Sequence, residues 1–384
     1  MLLIPSLLMV AYLVLRLVVP MPCGLWAKAA ASAALLFAGL KFTWYARLGG
    51  AFFAPALPRP LLLIMEALYA ALVILVFLTL VRDALSLVLW VSRRLGTDWK
   101  LPFAPAAWSA GLGLAALLMG AFGVWQAVKV PGARIVELIV PGLPPQLDGF
   151  SLVQLSDLHI GPIQKREWLR AVVDKANALK PDVMVLTGDY IDGPVVELRD
   201  ELAPLADLRA PCGVLAVTGN HEYYYQVEEW LPVFAELGLD MLHNEHRVLD
   251  VNGAPLVIAG VPDSAETRFG GPGPDLNLAL AGAPAATSIL LQHQPRGASA
   301  NRAVDVQLSG HTHGGLLFFL QPIIAAFNEG MVNGLYDAAR PKVYVHPGTG
   351  LWNGFSCRVG TPSEITRLVL RAGEPVARSS RTEG

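Results

Sequence analysis

Long apolar runs in the first third of the chain constrain its fold more than any other feature of the sequence. Residues 1–128 hold nearly all of these runs, whereas residues 129–384 have the composition of an ordinary globular domain. A helix needs about 20 mostly apolar residues to cross the hydrocarbon core of a bilayer. Four stretches meet this need and predict an N-terminal α-helical transmembrane region with four spans, at about Leu2–Val19, Leu25–Tyr45, Leu61–Val81 and Ala106–Val128.

The composition and the breaks between the runs support this prediction. Hydrophobic residues make up 54% of the chain and charged residues 16%, against roughly a quarter charged in soluble domains. Prolines such as Pro20, Pro58 and Pro102 separate the runs, as expected at helix ends. A cleaved signal peptide is the alternative for the first run, but no basic segment precedes that run and three more runs follow it. A soluble helical core is disfavoured because the runs lack a polar face.

Basic residues near the predicted spans indicate an orientation. The segment after the third span is the densest in basic residues, with Arg82, Arg93, Arg94 and Lys100. The positive-inside rule assigns this segment to the cytoplasm, which predicts that the C-terminal domain lies on the other side of the membrane. Arg16 and Glu66 fall within spans. They either form a functional polar site or face a helix end or a neighbouring helix, and the second interpretation is favoured.

The rest of the chain alternates between strand and helix patterns. Short apolar runs bounded by turn residues predict buried strands, for example at Val183–Leu186 and Val214–Val217. Helical spacing marks Glu167–Leu179 and Val227–Leu237. These patterns predict an α/β domain at residues 148–371, preceded by a connector at 129–147 and followed by a disordered tail at 372–384. The connector itself has a strand pattern at Ile135–Val140.

Ligand-type side chains follow the ends of several predicted strands. They comprise Asp157-Leu158-His159, Asp189, Asn220-His221-Glu222, His293 and His311-Thr312-His313. Ligands in α/β sheets bind at the carboxyl ends of strands, so these side chains are expected to converge. Carboxylates, imidazoles and an amide suit a pair of divalent cations, and the pattern predicts a metal-dependent hydrolase. The net charge of −2 and the three widely spaced cysteines indicate neither nucleic-acid binding nor a disulfide framework.

The order of these motifs (DxH, GD, GNHE, a lone histidine and GHxH) resembles the signature of the calcineurin-like metallophosphoesterase superfamily. The resemblance covers about residues 148–370. TGDYID, GNHEYY and GHTHGG, with Asn333–Tyr336, Gly348–Gly350 and Ser363–Ile365, are similar to the membrane-associated bacterial branch of YkuE-like and YaeI-like phosphoesterases. The resemblance implies an α/β metallophosphoesterase domain, a two-sheet β-sandwich flanked by helices. It also implies an integral, multi-pass protein of a bacterial cell membrane.

Carried over position by position, the resemblance implies two metal sites that share Asp189. One metal would be held by Asp157, His159 and His313, and the other by Asn220, His293 and His311. His221 would be the catalytic residue, which binds no metal and donates a proton or a hydrogen bond to the leaving oxygen. The implied cofactor is two divalent metal ions, Mn²⁺, Fe, Zn²⁺ or Mg²⁺, with Mn²⁺ favoured. These ions would acidify a shared water into a hydroxide that attacks the phosphoryl group.

Several other residues near these motifs have a weaker link to the chemistry. Asp192 or Glu222 is expected to support a ligating histidine through a hydrogen bond. His346, after a predicted strand, and Arg358 are candidates for contact with the substrate, although each is also explained as a structural or surface side chain. Two histidines, His243 and His246, are expected in a surface loop or at a strand start.

The sequence after GHTHGG departs from many members of this branch. Those members continue with glutamine, whereas here Leu316 follows Gly315 and the apolar stretch Leu317–Ala326 comes next. This stretch either forms a lipid-facing or acyl-accommodating surface or is an insert that packs against the domain.

The leading functional hypothesis is a membrane-anchored, dinuclear-metal phosphoesterase acting on a phosphomonoester, phosphodiester or pyrophosphate bond. Its expected partners are that substrate and the membrane, with no nucleic acid, and the anchor favours lipid-linked or envelope substrates. The alternative is a membrane sensor or scaffold whose metallophosphoesterase domain binds without turnover. Degenerate ligands would support that alternative, and none is missing. A transporter is disfavoured because the spans show neither a repeat nor a cluster of charges.

Overall fold

The computed structural model of the chain describes residues 3–97, 99, 105–336 and 341–373. These residues divide into two compact units. The N-terminal unit comprises Met1–Lys129 and the later segment Trp352–Gly360, and the C-terminal unit comprises Val130–Leu351 and Thr361–Gly384.

Apolar helices make up most of the N-terminal unit. The helices are α1 at Leu3–Leu13, α2 at Leu25–Gly39, α3 at Lys41–Leu48, α4 at Arg59–Arg94 and α5 at Pro105–Val128. Helix α1 continues as a π-helical turn over Val14–Val18.

The number of membrane-length helices differs from the four that the sequence predicted. Among the described residues, α4 and α5 are long and apolar enough to cross a membrane, and α2 with α3 makes a third if this pair, bent by 62°, forms one span. The segment Leu3–Val18 is apolar but shorter. At a rise of 1.5 Å per residue it reaches about 24 Å, less than the ~30 Å of a hydrocarbon core. The described part of the chain therefore contains two or three candidate spans.

A buried ion pair holds parts of the N-terminal unit together. Lys41 Nζ donates to Glu66 Oε1 at 2.8 Å, and each side chain is only 1% exposed. The same Glu66 oxygen accepts from the Tyr45 hydroxyl at 2.9 Å, and Glu66 Oε2 accepts from the Ser356 N–H at 2.8 Å. Lys41 also donates to the Gly354 carbonyl. Glu66 thus faces neighbouring elements, which is the interpretation favoured by the sequence.

Replacing Glu66 by alanine is expected to lower the stability of the N-terminal unit by about 3–5 kcal/mol, because Lys41 loses its buried counter-ion. Denaturant titration of the detergent-solubilised protein measures the change. Glu137→Ala is the matched control, since Glu137 pairs with Arg371 where both side chains are exposed, and a surface pair contributes about 1 kcal/mol or less. Equal effects of the two variants would contradict the assigned importance of the buried pair.

Two six-stranded sheets form the C-terminal unit within the described residues. The first sheet has the order β1-β12-β2-β3-β4-β5 and the second β10-β11-β9-β8-β7-β6. The strands are β1 Gly132–Pro141, β2 Ser151–Leu155, β3 Val183–Thr187, β4 Val214–Val217, β5 Asp240–Met241, β6 Glu245–Val251, β7 Ala254–Gly260, β8 Thr287–Leu291, β9 Val306–Ser309, β10 Gly334–Tyr336, β11 Lys342–Val345 and β12 Glu364–Gly373. The helices are α6 Arg166–Ala178, α7 Val195–Leu202, α8 Asn220–Tyr224, α9 Val227–Glu236, α10 Leu276–Ala279 and α11 Gln321–Phe327.

The two sheets pack face to face around an apolar core. Val185 and Leu215 of the first sheet share a buried cluster with Ile258 and Ile289 of the second. The other face of the first sheet is covered by α6, α7 and α9, which bury side chains such as Trp230. Strands β2 to β5 are mutually parallel, as are β7, β8, β9 and β11. The α/β prediction with two sheets is therefore confirmed.

The edges of this domain extend beyond the predicted bounds. The segment predicted as a connector contributes β1, which contains the predicted strand Ile135–Val140 and pairs in parallel with β12. Ala372 and Gly373, the first residues of the predicted disordered tail, complete β12. The rest of that tail, 374–384, lies outside the described residues.

Candidate metal centre

The ligand-type side chains lie at the carboxyl ends of parallel strands from both sheets. Each follows its strand within a few residues: Asp157 and His159 after β2, Asp189 after β3, Asn220 after β4, His293 after β8, and His311 and His313 after β9. Because β2, β3 and β4 are adjacent, as are β8 and β9, their ends meet on one side of the sandwich. The sheet order thus brings together side chains that are far apart in the sequence.

Most of these side chains stand on a left-handed backbone. The φ angles are 54° at Asp157, 48° at His159, 57° at Asp189, 71° at His311 and 49° at His313. Non-glycine residues rarely adopt this region, which costs of order 1–3 kcal/mol each and is concentrated at functional sites. The backbone therefore turns sharply at these residues and leaves the extended conformation of the strand that precedes each of them.

A first group of ligand atoms comes from Asp157, His159 and His313. Their ligand atoms all lie within 4.8 Å of one another. His159 Nε2 is 3.3 Å from His313 Nε2, and His313 Nε2 is 3.5 Å from Asp157 Oδ1. All three residues are buried. The spacing fits one cation with two imidazoles and one carboxylate.

A second group comes from Asp189, His293 and His311. His293 Nε2 is 3.2 Å from Asp189 Oδ2 and 3.2 Å from His311 Nδ1. Asn220 lies beside this group, because the next backbone N–H, that of His221, donates to Asp189 Oδ1 at 2.9 Å. The buried Asn220 Oδ1 accepts no hydrogen bond from any described residue. Such an orphaned oxygen is costly unless a ligand satisfies it, and a cation would.

Asp189 belongs to more than one group. Its carboxylate also forms a cluster with His159 and His221, at 3.7 Å from His159 Nε2 and 4.0 Å from His221 Nε2. Burial favours the neutral acid, but the charges of His293 and His221 outweigh it and hold the pKa of Asp189 well below its usual range. Asp189 therefore stays ionised between the two groups, as a shared ligand must.

Hydrogen bonds fix the tautomers of two of these histidines. His159 Nδ1 is 3.0 Å from Asp192 Oδ1, and His293 Nδ1 donates to the Thr187 carbonyl at 2.7 Å. With Nδ1 held in this way, each Nε2 is the ring atom that faces the other ligand atoms, and it can bind a cation once its proton has left. Imidazoles and carboxylates that converge in this way are a donor set that fits a pair of divalent cations.

His221 is held as a charged imidazolium beside the two groups. Its Nδ1 is 2.6 Å from Asp192 Oδ1. Burial opposes its protonation, but the carboxylates of Asp189 and Asp192 and this hydrogen bond outweigh burial and raise the pKa of His221 to about 9. The Nε2–H then faces the centre, where it can donate to a substrate oxygen.

Glu222 organises the loops on which Asp189 and Asn220 stand. Its Oε2 accepts from the Gly219 N–H at 2.6 Å and the Asp189 N–H at 3.0 Å, and its Oε1 accepts from the Tyr190 N–H at 2.7 Å. Burial and the charge of Asp189 raise the pKa of Glu222 to about 7. Gly219 is required because a Cβ there would meet the carboxylate of Asp189. The sequence indicated Asp192 and Glu222 only as alternatives, and the structure gives each a separate task.

Asp263 and Gln294 are site residues that the sequence did not indicate. Gln294 follows His293 and donates from Nε2 to both carboxylate oxygens of Asp263, at 3.0 Å each. Burial raises the pKa of Asp263. A signal was present, since Asp263 follows the end of β7 just as the ligand-type residues follow their strands.

Comparison with known proteins agrees with this geometry. Residues 150–315 match the family model described as calcineurin-like phosphoesterase. A metallophosphoesterase of Campylobacter jejuni is 32% identical over 313 residues, which cover 80% of this chain and 81% of that protein. The chain belongs to the calcineurin-like phosphoesterase family. The metallophosphoesterase YkuE of Bacillus subtilis is 33% identical over 239 residues, 60% of this chain and 82% of that protein.

This chain is also similar to a bovine protein whose name is "Transmembrane protein with metallophosphoesterase domain". It is 37% identical over 270 residues, which cover 66% of this chain and 60% of the relative. The chain thus spans less than two thirds of that relative's length.

The remaining candidate residues differ in burial and in their hydrogen-bond partners. His346 has no exposed surface, and its Nδ1 accepts from the Gly348 N–H. Arg358 is 1% exposed and belongs to the N-terminal unit, where its backbone N–H donates to the Gly123 carbonyl. His243 pairs with Glu266, and His246 lies in β6. Contact of His346 or Arg358 with a substrate stays a prediction.

Asp192→Asn is expected to move the alkaline limb of the pH–rate profile to lower pH. Loss of this carboxylate lowers the pKa of His221 from about 9, so the imidazolium deprotonates earlier as pH rises. Rates measured from pH 6 to 10 test this prediction. Mn²⁺ must be saturating, because the loss of the hydrogen bond to His159 also lowers metal affinity by about 10–100-fold. Asp250→Asn is the matched control, since Asp250 is an exposed residue near the end of β6. An unchanged alkaline limb would contradict the role of Asp192.

Proposed function

We propose that this chain is a membrane-anchored, dinuclear-metal phosphoesterase that hydrolyses a phosphomonoester, phosphodiester or pyrophosphate bond. The observation that carries the proposal is the position of Asp189, whose carboxylate stands between two buried groups of ligand atoms. Membership of the calcineurin-like phosphoesterase family supports the reaction class. A scaffold without turnover would not need the charged His221 beside the ligand groups.

The two groups would divide the ligands between two divalent cations. Asp157, His159 and His313 would hold one cation, Asn220, His293 and His311 the other, and Asp189 both. When bound, such a pair polarises phosphoryl oxygens and lowers the pKa of a water molecule that attacks phosphorus. Carboxylate, amide and imidazole donors suit Mn²⁺, Fe, Zn²⁺ or Mg²⁺, and Mn²⁺ is the ion we propose to test first.

The protein's own residues supply orientation and the proton. Asp192 fixes the His221 ring through Nδ1, so that Nε2–H is directed to the side where Asp189 lies, 4.0 Å away. A phosphoryl group lying between the ligand groups would have its leaving oxygen within reach of this proton. Transfer of the Nε2 proton to the leaving oxygen neutralises the developing alkoxide, a contribution of typically 10²–10⁴-fold.

Activity of the purified full chain tests the proposal. Hydrolysis of p-nitrophenyl phosphate and bis(p-nitrophenyl) phosphate is expected with Mn²⁺, together with about two metal ions per chain by elemental analysis. Treatment with a chelator should abolish the activity, and added Mn²⁺ should restore it. Metal binding without hydrolysis of any phosphoester in a broad panel would favour the sensor or scaffold alternative.

We infer that α4 and α5 anchor the enzyme and that the catalytic domain lies outside the cytoplasm of a bacterial cell. Helix α4 continues beyond the predicted span to Arg94, so Arg93 and Arg94 cluster at its end, just before α5. The positive-inside rule favours a cytoplasmic location for that cluster. The inference needs α5 alone to cross the membrane, so it does not depend on whether there are two, three or four spans. An alkaline phosphatase reporter fused to the C-terminus should be active in cells; fluorescence of a cytoplasmic reporter there would reverse the assignment.

A further inference from the structure

A ten-residue apolar segment projects from the catalytic domain directly after the metal-centre loop. Residues Phe318–Phe327, here named the apolar arm, form a short 3₁₀ turn and helix α11. The arm contains no charged residue. None of its residues is buried, and Phe318, Ile323 and Phe327 are 47%, 54% and 66% exposed.

An apolar helix with no buried residue is unusual for a soluble domain. A surface helix normally buries an apolar stripe and presents a charged face to water. Helices α6 and α9 of the same unit follow this rule, with buried residues such as Val172 and Phe234. The apolar arm has neither a buried stripe nor a charged face. Contiguous exposed apolar surface of this kind marks a site of interaction with a protein or a membrane.

Hydrogen bonds at both ends fix the arm on the domain. At its start, Gln321 Nε2 donates to the Gly314 carbonyl at 3.2 Å and to Thr361 Oγ1 at 2.8 Å. At its end, the Nε–H of Arg296 donates to the Phe327 carbonyl at 2.8 Å. Gly314 directly follows His313, a member of the first ligand group. The arm is therefore a fixed part of the wall beside the metal centre.

The chemistry of the arm matches the boundary between lipid headgroups and acyl chains. Its aromatic and aliphatic side chains suit the acyl side, and the exposed Arg296 at its end suits phosphate headgroups. Within the chain only Lys129, Val130 and Pro131 separate the end of α5 from the start of β1. Three residues span about 10 Å at most. A chain anchored through α5 thus keeps this domain at the membrane surface.

We propose that the apolar arm lies in the interface of the bilayer and holds the metal centre against it, so that the substrate is a phosphoester carried by a lipid. The choice of substrate rests on the proposed phosphoesterase function, whereas the location of the arm rests only on the anchor. A lipid phosphate in the headgroup layer would then reach the ligand groups beside Gly314 without leaving the membrane. A second copy of the chain covering the arm is the competing occupant.

The depth of the arm in a membrane can be measured on the full chain, and this measurement needs no assay of activity. Ile323→Cys carries a nitroxide in a background with Cys23→Ser and Cys212→Ser, while the buried Cys357 stays unlabelled. In vesicles of phosphatidylcholine and phosphatidylglycerol, the label should collide more with oxygen than with a water-soluble nickel chelate. Val248→Cys, exposed on β6, is the matched control and should show the reverse. The proposed location is wrong if the label at 323 collides mainly with the nickel chelate, as a label in water does. It is also wrong if the label is shielded from both reagents, which would indicate that a protein partner covers the arm.

Paired substrates test the consequence for activity. The variant Phe318→Ser/Ile323→Ser/Phe327→Ser should retain hydrolysis of soluble bis(p-nitrophenyl) phosphate. Its turnover of dioleoyl phosphatidic acid in vesicles should fall by about tenfold or more, because the site loses the high effective substrate concentration at the surface. Val196→Ser/Val248→Ser/Leu278→Ser removes three exposed apolar side chains elsewhere on the domain and should leave both rates unchanged.

The outcomes separate the two proposals. An equal loss on both substrates, or a wild-type enzyme that hydrolyses only the soluble ester, overturns the assignment of a lipid substrate. A wild-type chain that hydrolyses neither substrate overturns the phosphoesterase function, while the depth measurement still decides where the arm lies.

Discussion

Asp189→Ala is expected to reduce kcat/KM by about 10³-fold or more. Loss of a ligand shared by two cations removes several kcal/mol of transition-state stabilisation, and each ~1.4 kcal/mol changes the rate by a factor of ten. The Asp189 carboxylate lies beside imidazoles of both ligand groups, 3.2 Å from His293 Nε2 and 3.7 Å from His159 Nε2. Its removal also leaves the His221 N–H without the oxygen that accepts from it at 2.9 Å. Steady-state kinetics and elemental analysis measure the two effects.

The metal content decides whether the loss has the proposed cause. Asp189→Ala should bind at most about one cation per chain at metal concentrations that fill both wild-type sites. Asp250→Ala, in an exposed turn, controls for the general effect of removing an aspartate. Full occupancy of two cations in Asp189→Ala, or near wild-type turnover, is incompatible with a shared ligand.

His221→Ala should lower turnover by about 10²–10⁴-fold while the metal content stays unchanged. The ring is hydrogen-bonded through Nδ1 to Asp192, and in the charged imidazolium Nε2 carries a proton and offers a cation no lone pair. Its imidazolium, with a pKa raised to about 9, is suited to protonate a leaving oxygen. An alkyl phosphoester should therefore lose more rate than a p-nitrophenyl ester, whose leaving group needs no proton.

His243→Ala is the matched control, because His243 is a surface histidine that pairs with Glu266. It should leave rate and metal content as they are in the wild type. A large loss of metal in His221→Ala would show that His221 is a ligand, and equal losses on both esters would argue against proton donation to the leaving group.

The N-terminal unit shows what local sequence reasoning cannot predict. Apolar composition correctly predicted helices in each of the four runs. Whether a helix spans a bilayer depends on its length and straightness, which the composition does not report. The bend between α2 and α3 and the short reach of Leu3–Val18 reduce the candidate spans to two or three. The sequence also did not predict the ion pair between Lys41 and Glu66, because this pair joins two separate helices.

The strands of the catalytic domain were more predictable. Val183–Leu186 and Val214–Val217 appear as β3 and β4, because short apolar runs bounded by turn residues have few other stable conformations. Parallel strands place their carboxyl ends together, so the position of a residue just after its strand is itself spatial information. Asp263 carries the same signal after β7, but its type and surroundings matched no motif.

The sequence by itself determined that carboxylates, imidazoles and an amide gather at one edge of an α/β sandwich, because strand ends and turn residues are local properties. Only the tertiary structure decided how these groups support one another. A single oxygen of Asp192 contacts both His159 and His221, at sequence separations of 33 and 29 residues. Such a contact depends on the packing of separate loops after β2, β3 and β4. No local pattern specifies that packing, and it sets the charge of His221.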